Sequence, residues 1–412
     1  MRLVFAAVEH AAPGRGRAPD WSRLWGELRR PVALALSVCV VLRVVTTVVA
    51  LDAAYGVSFP HVVARTPSVL VDVWAHWDTG YYLTIAQHGY PAATAAQLHA
   101  GTLPNTAAFA PAYPWFVWLA HAVGFGWIAA TQVVAALALF VALVGMVRLL
   151  DGEVGAVASN ATVTLVAAFP TAFFLLAGYP ESLALAFVVW AFVAARRGRY
   201  LVAGVLAAAA AMTVFYLGVV VLAILYEIWA ARAPGERSVE RLRRDGLRAA
   251  ATVVPAAVSF AGWMAVCDHL YADPLAFVRV QRNWGRHFAF PWTLVHHTVS
   301  DLVHWRFLDT STASVTELFD AVTVLVLAAV TVVVFLRVRR SYGVLLGASL
   351  CLFVFQDVLY SETREVLVLF PFFVGLARWV GGHPWRERLV LALFIPSAYF
   401  LASRFVTGAF AG

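Results

Sequence analysis

The sequence predicts an all-α polytopic membrane protein, and three observations predict it. Of its 412 residues 62% are hydrophobic and 13% charged, whereas soluble domains hold roughly half apolar and a quarter charged residues. The apolar residues recur in runs of roughly 15 to 24, near the length of about 20 that lets a helix cross hydrocarbon. The runs do not alternate with period two, so they read as helices rather than barrel strands, the only other backbone solution in lipid. All 30 basic residues are Arg, and the formal net charge is +7. These arginines form short clusters flanking apolar runs, which is a positive-inside signal and argues against nucleic-acid binding.

Taken in order, residues 1–30 carry Arg2, Arg15, Arg17, Arg23, Arg29 and Arg30 without the apolar core of a signal peptide, and read as a basic cytoplasmic tail. Residues 31–51 are a first span running outward, and 52–111 a first outer loop. Residues 112–126 are apolar but short, a half-inserted helix. Residues 127–150 return inward. Residues 161–178 go out, 179–182 turn, and 183–195 return to Arg196, Arg197 and Arg199. The stretch 200–230 has Arg-rich flanks on both sides, so it reads as two short helices with an outer turn at 212–218. After the basic loop 232–248, residues 251–267 go out to a second outer loop, 268–320. Residues 321–336 return, 342–359 go out, 361–365 turn, 366–379 return, and 389–402 leave 407–412 as an outer tail. The sum is about eleven crossings of spanning length or shorter. Residues 31–406 form one transmembrane domain, since outer loops of fifty to sixty residues are too small for cores of their own.

Cys39, Cys267 and Cys351 sit in or near apolar runs without metal or redox spacing, and read as small apolar residues. The exclusive use of Arg among the bases, with abundant Ala and Val, points to a GC-rich bacterial genome and hence a bacterial plasma membrane.

This topology collects the unusual polar segments, 74–90, 109–114, 179–182, 281–291 and 361–365, on the outer face. In the first, Trp74, Trp77, Tyr81, Tyr82 and Tyr90 fit an interfacial helix with rings at the headgroup level. Asp78 among them is either the cap of a helix starting near Thr79 or a partly desolvated carboxylate suited to general-base work. His76 and His88 lack metal-ligand spacing, and no metal site is predicted. Arg282, Arg286 and Arg364 lie where the positive-inside rule does not ask for them. They contact either headgroups or a specific phosphate, which guanidinium groups grip by forked hydrogen bonds. Glu181, at a turn tip, is either solvated or a second acid lining a cavity. Asp320, at a predicted helix start, reads as a cap.

At these residues the sequence resembles the PIG-V family, integral-membrane mannosyltransferases of the GPI mannosyltransferase 2 type, within the GT-C superfamily. The resemblance rests on Trp77-Asp78, Tyr81-Tyr82, Leu83-Thr84-Ile85-Ala86 and Gly89-Tyr90, followed by Pro111-Ala-Tyr113-Pro114. It continues through Tyr179-Pro180-Glu181-Ser182-Leu183, then Gln281 with Trp284-Gly285-Arg286, and Arg364 with Phe370-Pro371. It implies a GT-C-like bundle with interfacial helices in the first outer loop, and transfer of a hexose, mannose in the family, from a polyprenyl-phosphate donor to an acceptor hydroxyl with inversion. Asp78 would be the general base. Arg282, Arg286 or Arg364 would meet the leaving phosphate, and Trp77, Tyr81, Tyr82, Glu181, Gln281 and Trp284 would bind substrate. No metal or organic cofactor is implied. The partners are membrane lipid, the lipid-linked sugar, and a glycan, glycolipid or protein acceptor. Two departures stand out. Met212-Thr213-Val214-Phe215-Tyr216 replaces an Arg-Pro-Thr-Gly-like turn, and His76 stands where many relatives carry Arg.

Two other function classes compete. A transporter or lipid-carrier flippase would place its charges near the bilayer midplane, whereas here only Arg43 lies deep in a run. A non-catalytic subunit of a glycosylation complex would fit the missing turn arginine, and an Asp78→Asn variant with full cellular function would mark it.

Overall fold

The structure, a computed structural model, describes residues 21–56, 68–231, 239–304 and 314–412. The basic tail through residue 20, together with Arg65, Arg232, Arg237 and Arg306, lies outside the described residues. The chain begins with α1 (Trp21–Tyr55), α2 (Val69–Asp72), α3 (Asp78–His88), α4 (Ala95–Ala100) and α5 (Ala112–Ala122). It continues with α6 (Trp127–Glu153), α7 (Ala156–Ala168), α8 (Glu181–Arg196), α9 (Tyr200–Ala211), α10 (Val220–Ala230) and α11 (Val239–Tyr271). The remaining helices are α12 (Ala276–Arg279), α13 (Pro291–Val303), α14 (Ser314–Arg337), α15 (Arg340–Val354), α16 (Glu362–Glu365), α17 (Phe370–Val380) and α18 (Pro384–Val406). Among the described residues the only β pairing is an isolated bridge between Phe288 and Gln356.

Among the described residues five helices, α1, α6, α11, α14 and α18, are long and apolar enough to cross a membrane. Four of them, α1, α11, α14 and α18, turn exposed apolar stripes outward, as α1 does with Leu36, Val40, Val41, Val44 and Val48, whereas α6 is mostly buried. Such stripes would be a liability in water and are what a lipid-facing helix requires. The shorter apolar helices α7, α9, α15 and α17 have between 10 and 17 residues. Each covers at most about 25 Å at 1.5 Å per residue, short of the roughly 30 Å hydrocarbon thickness. Irregular segments therefore follow three of them, at 169–180, 212–219 and 355–361. The first of these is buried throughout, the condition under which irregular backbone is tolerated within a membrane protein.

Several predicted boundaries are corrected; the run 342–359 is helical only to Val354, and within 366–379 the α-helix begins at Phe370. The run 161–178 is not one helix, because α7 stops at Ala168. Phe169 turns extended (φ −60°, ψ 145°) ahead of Pro170, whose ring disfavours a helical predecessor. The helix expected at 251–267 instead begins at Val239, inside the basic loop expected at 232–248, where Arg241, Arg243, Arg244 and Arg248 are good helix formers and outweigh Gly246. The turn expected within 200–230 is present, as a single 3₁₀ turn at Phe215–Val219 between α9 and α10.

The core is built around α6, which packs against α1, α5, α7 and α8, while α9 lies between α8 and α11. Close helix approach needs small residues where lipid supplies no hydrophobic drive. At Gly145 of α6 a Cβ would fall 2.7 Å from the Trp190 indole nitrogen, which donates to the Val141 carbonyl at 3.0 Å. At Gly204 of α9 a Cβ would fall 2.5 Å from the Ala251 carbonyl oxygen of α11. One end of the bundle is tied by ions. Arg196 meets Glu153 at 2.5 Å and also pairs with Glu227, Tyr342 donates to Glu153 at 2.6 Å, and Ser341 donates to Glu227 at 2.6 Å. Glu181 starts the same helix that Arg196 ends, about 22 Å away along its axis. The polar residues considered next gather at that opposite end.

Candidate functional site

The site is assembled from turns that precede short helices. Trp77 has left-handed backbone (φ 55°, ψ −116°), after which α3 begins at Asp78. The Tyr179 hydroxyl donates to the His76 carbonyl and accepts the Asp78 amide, both at 3.2 Å, and Thr79 donates to the Gly178 carbonyl at 3.1 Å. Gly178 allows that approach, because a Cβ there would lie 2.7 Å from the Thr79 methyl and 2.8 Å from the Thr131 hydroxyl. The Asp78 side chain does not cap α3. Its Oδ2 accepts Arg364 Nη1 at 2.9 Å, so the carboxylate expected to stand alone among rings is met by a guanidinium.

Arg364 projects from the one-turn helix α16. Its Nε lies 3.3 Å from Glu181 Oε1, and its guanidinium carbon sits 5.4 Å from the Phe174 ring centroid and 5.2 Å from that of Tyr179. Burial opposes its charge, but Asp78 and Glu181 outweigh that and hold Arg364 above its ordinary value. Glu181, in the turn ahead of the apolar part of α8, is buried, and burial pushes its carboxyl up to about 7 against the pull of Arg364. Asp320 does not cap its own helix. It lies inside α14, and its two oxygens accept the Ser361 amide at 2.9 Å and the Thr363 amide at 2.7 Å, capping α16 from across the bundle.

Arg286 donates to the Tyr360 carbonyl and lies 3.3 Å from Glu365; Glu365 and Glu362 offset its burial and raise it above its ordinary value. Glu362 is fully buried, accepts from Gln356, and is pushed well up by that burial. Arg282 is exposed, with no ion-pair partner among the described residues.

One cavity of about 1130 Å³ joins these groups. Trp77, Asp78, Tyr81, Tyr82, Gln281, Arg282, Trp284, Arg286 and Arg364 all line it; Glu181 lies behind Arg364 and does not. Tyr81 stacks on Phe109 (4.9 Å), and Trp284 meets Tyr81 edge-on (6.2 Å). The reading of the 74–90 rings as headgroup anchors is corrected for Trp74, which is buried against Phe173 and Phe405, and for Tyr82, which is buried against Phe109 and Tyr113. Trp74 is a core residue and Tyr82 a buried part of the cavity wall, because the α2–α3 turn folds into the bundle rather than along its surface. His76 is also turned inward, and burial lowers its imidazole. His88 is exposed at the end of α3. Among the described residues no group of three His, Cys, Asp or Glu is placed to hold a metal ion.

Several lining residues escaped sequence reasoning. Tyr360, Glu365 and Phe410 belong to the wall, and Glu362 lies just behind it. The charged run Ser361-Glu362-Thr363-Arg364-Glu365 between two apolar runs was their only signal. Phe410 had none: the stretch expected as an outer tail folds back, and its ring packs on Trp77 (5.5 Å) and Tyr360 (4.7 Å). Where relatives in the resemblance carry an arginine turn, Thr213, Val214, Phe215 and Tyr216 line the cavity, and the Tyr216 hydroxyl donates to the Glu365 carbonyl at 2.7 Å.

No protein-family model and no curated protein matches the chain. Solved structures similar to it include crystal structures of the Archaeoglobus fulgidus oligosaccharyltransferase. The apo form has a TM-score of 0.49 at 13% identity, covering 92% of this chain and 56% of that one. The form tethered to an acceptor peptide has a TM-score of 0.47 at 12% identity, covering 91% of this chain and 56% of that one. The chain thus spans little more than half the length of the enzyme it matches.

Proposed function

We propose that the protein is a membrane glycosyltransferase of the GT-C kind that moves a hexose, mannose by its PIG-V-like motifs, from a polyprenyl-phosphate donor to an acceptor hydroxyl on the non-cytoplasmic face of a bacterial plasma membrane. The observation that carries this reading is the joint lining of one cavity by Asp78, by Arg282, Arg286 and Arg364, and by the rings of Trp77, Tyr81, Tyr82 and Trp284. A carboxylate, guanidinium donors and aromatic faces are what a hydroxyl nucleophile, a phosphate leaving group and a sugar ring respectively require. The exposed apolar side chains of Val278, Phe288, Leu352 and Phe355 along the same wall suit a polyprenyl tail.

In the proposed reaction the acceptor oxygen forms a bond to the anomeric carbon as that carbon's bond to the phosphate oxygen breaks, with inversion. The hydroxyl proton goes to Asp78. Its Oδ2 is held by Arg364, while Oδ1 has no hydrogen-bond partner among the described residues. The bonding pair leaves on the lipid phosphate, and Arg282 is the guanidinium best able to meet it, because Arg364 and Arg286 are already engaged by carboxylates. Gln281 and Trp284 flank that position. Glu181 acts only through Arg364. The acceptor is an unidentified glycan, glycolipid or protein.

The test is purified protein with radiolabelled polyprenyl-phosphate mannose and a crude membrane acceptor extract. Asp78→Asn keeps an oxygen for Arg364 but removes the proton acceptor, and transfer is expected to fall about 10²–10⁴-fold with folded yield unchanged. Wild-type rates in that variant, or an equal loss of folded protein, would overturn the assignment of Asp78.

A further inference from the structure

We infer that Tyr179 and Asp320 are positioning residues for the Asp78–Arg364 pair, each clamping a strained turn from which one member of the pair projects. Only three non-glycine residues among those described have left-handed backbone: Trp77 (φ 55°), Ala272 (φ 52°) and Ser361 (φ 74°). Such conformations are costly for residues with a Cβ and persist only where the surroundings over-determine them. Ala272 needs no side chain to explain it; it closes α11, its amide donating to the Asp268 carbonyl at 2.9 Å, as helix ends commonly do. The other two each lead into one half of the ion pair. Trp77 immediately precedes Asp78, and Ser361 opens the single turn that presents Arg364.

Each of these two turns is held by a buried side chain from a distant part of the chain. The Tyr179 hydroxyl spans Trp77, bonding the carbonyl before it and the amide after it. The Asp320 carboxylate takes the amides of Ser361 and Thr363, and Thr363 is held further by Thr171, which donates to its carbonyl at 3.0 Å, and by Thr323, whose hydroxyl lies 3.1 Å from its own. Tyr179 also reaches the second member of the pair, because its ring lies against the Arg364 guanidinium. The separation between a carboxylate and a guanidinium carried on two strained turns is thus set by two groups that do not line the cavity.

The test is a double-mutant cycle on the pair, Asp78→Ala with Arg364→Met, each of which removes the contact, read as the non-additivity of melting-temperature shifts in detergent. It is measured in the wild-type, Tyr179→Phe and Asp320→Ala backgrounds. The wild type is expected to show clear non-additivity, and either clamp variant to lose at least half of it. Ser361→Gly removes the strain that Asp320 restrains, and adding it to Asp320→Ala is expected to restore most of the coupling. Should Asp320→Ala not fold, Asp320→Asn and Tyr179→Phe carry the same comparison. A pair that is additive in the wild type, or a coupling undiminished in both clamp variants, overturns the inference.

A kinetic arm rests on the proposed transfer reaction. There Tyr179→Phe is expected to lower kcat at least tenfold with donor KM within twofold. If the wild type transfers no sugar, the functional proposal fails while the cycle still decides the clamps.

Discussion

Glu181 is a buried ionisable group whose environment ties the site to pH. Buried behind Arg364, it has its carboxyl pushed up to about 7 from an ordinary 4.5, so between these values the folded protein holds a proton that the unfolded chain has released. The sign follows. This contribution to stability is fully present below about 4.5 and is lost as pH rises through about 7, a change on the order of 3 kcal/mol at most. Above that point a second negative charge also competes for Arg364. Glu181→Gln is expected to flatten the fall in melting temperature between pH 5 and pH 8 and to remove any loss of transfer centred near pH 7. A pH profile identical to the wild type would show that Glu181 does not titrate there. Asp78 and Arg364 were both legible as unusual residues from their surroundings in the chain. Their pairing was not, since they are separated by most of the sequence and nothing local encodes the approach of α3 to α16.

At the scale of the element, the bundle depends on glycines that let helix backbones meet. Gly204 faces the α11 backbone itself, where a Cβ would fall 2.5 Å from the Ala251 oxygen and 2.8 Å from that of Thr252. Backbone atoms cannot rotate away as a side chain can, so Gly204→Ala is expected to force α9 from α11 and cost about 1–3 kcal/mol, measured as a lowered melting temperature in detergent. A neutral or stabilising result would mean that α9 slides without loss. The short helices α7, α9, α15 and α17 follow the same logic. They stop early at Pro170, at the 212–219 turn, at the irregular segment 355–361 and, for α17, at Gly381-Gly382, and the irregular stretches after α7, α9 and α15 deliver Tyr179, Tyr216 and Arg364 to one place. Periodicity showed that these stretches were apolar. Charge pattern also placed the turn at 212–218, but the irregular backbone at 169–178 and 355–359 was not legible, because buried irregular backbone has the same composition as buried helix.

For the whole molecule, the separation of the two ends is the main feature. Arg196, Arg339, Glu153 and Glu227 tie one end, and the cavity occupies the other. With Cys39, Cys267 and Cys351 replaced by alanine, a cysteine at exposed Arg282 is expected to react with a membrane-impermeant maleimide applied from outside. A cysteine at exposed Arg197 is expected to react only after permeabilisation. The reverse pattern would turn the molecule over and move the cavity to the cytoplasm. Position 181, at an outer turn by charge pattern, is a poor reporter because the residue is buried.

Composition and the spacing of charge against apolar runs were sufficient, from the chain alone, for the membrane class, the all-helical architecture and the gathering of polar segments at one end. Those properties follow from the free energy of single segments in water or lipid, which depends on local composition. The tertiary structure alone decided that Asp78 meets Arg364, that Asp320 caps a helix other than its own, that Glu181 stands behind the cavity wall, and that Phe410 belongs to that wall. Each of these is a contact between residues far apart in the chain, set by how helices pack and where irregular turns bring them together, and no local pattern carries that information.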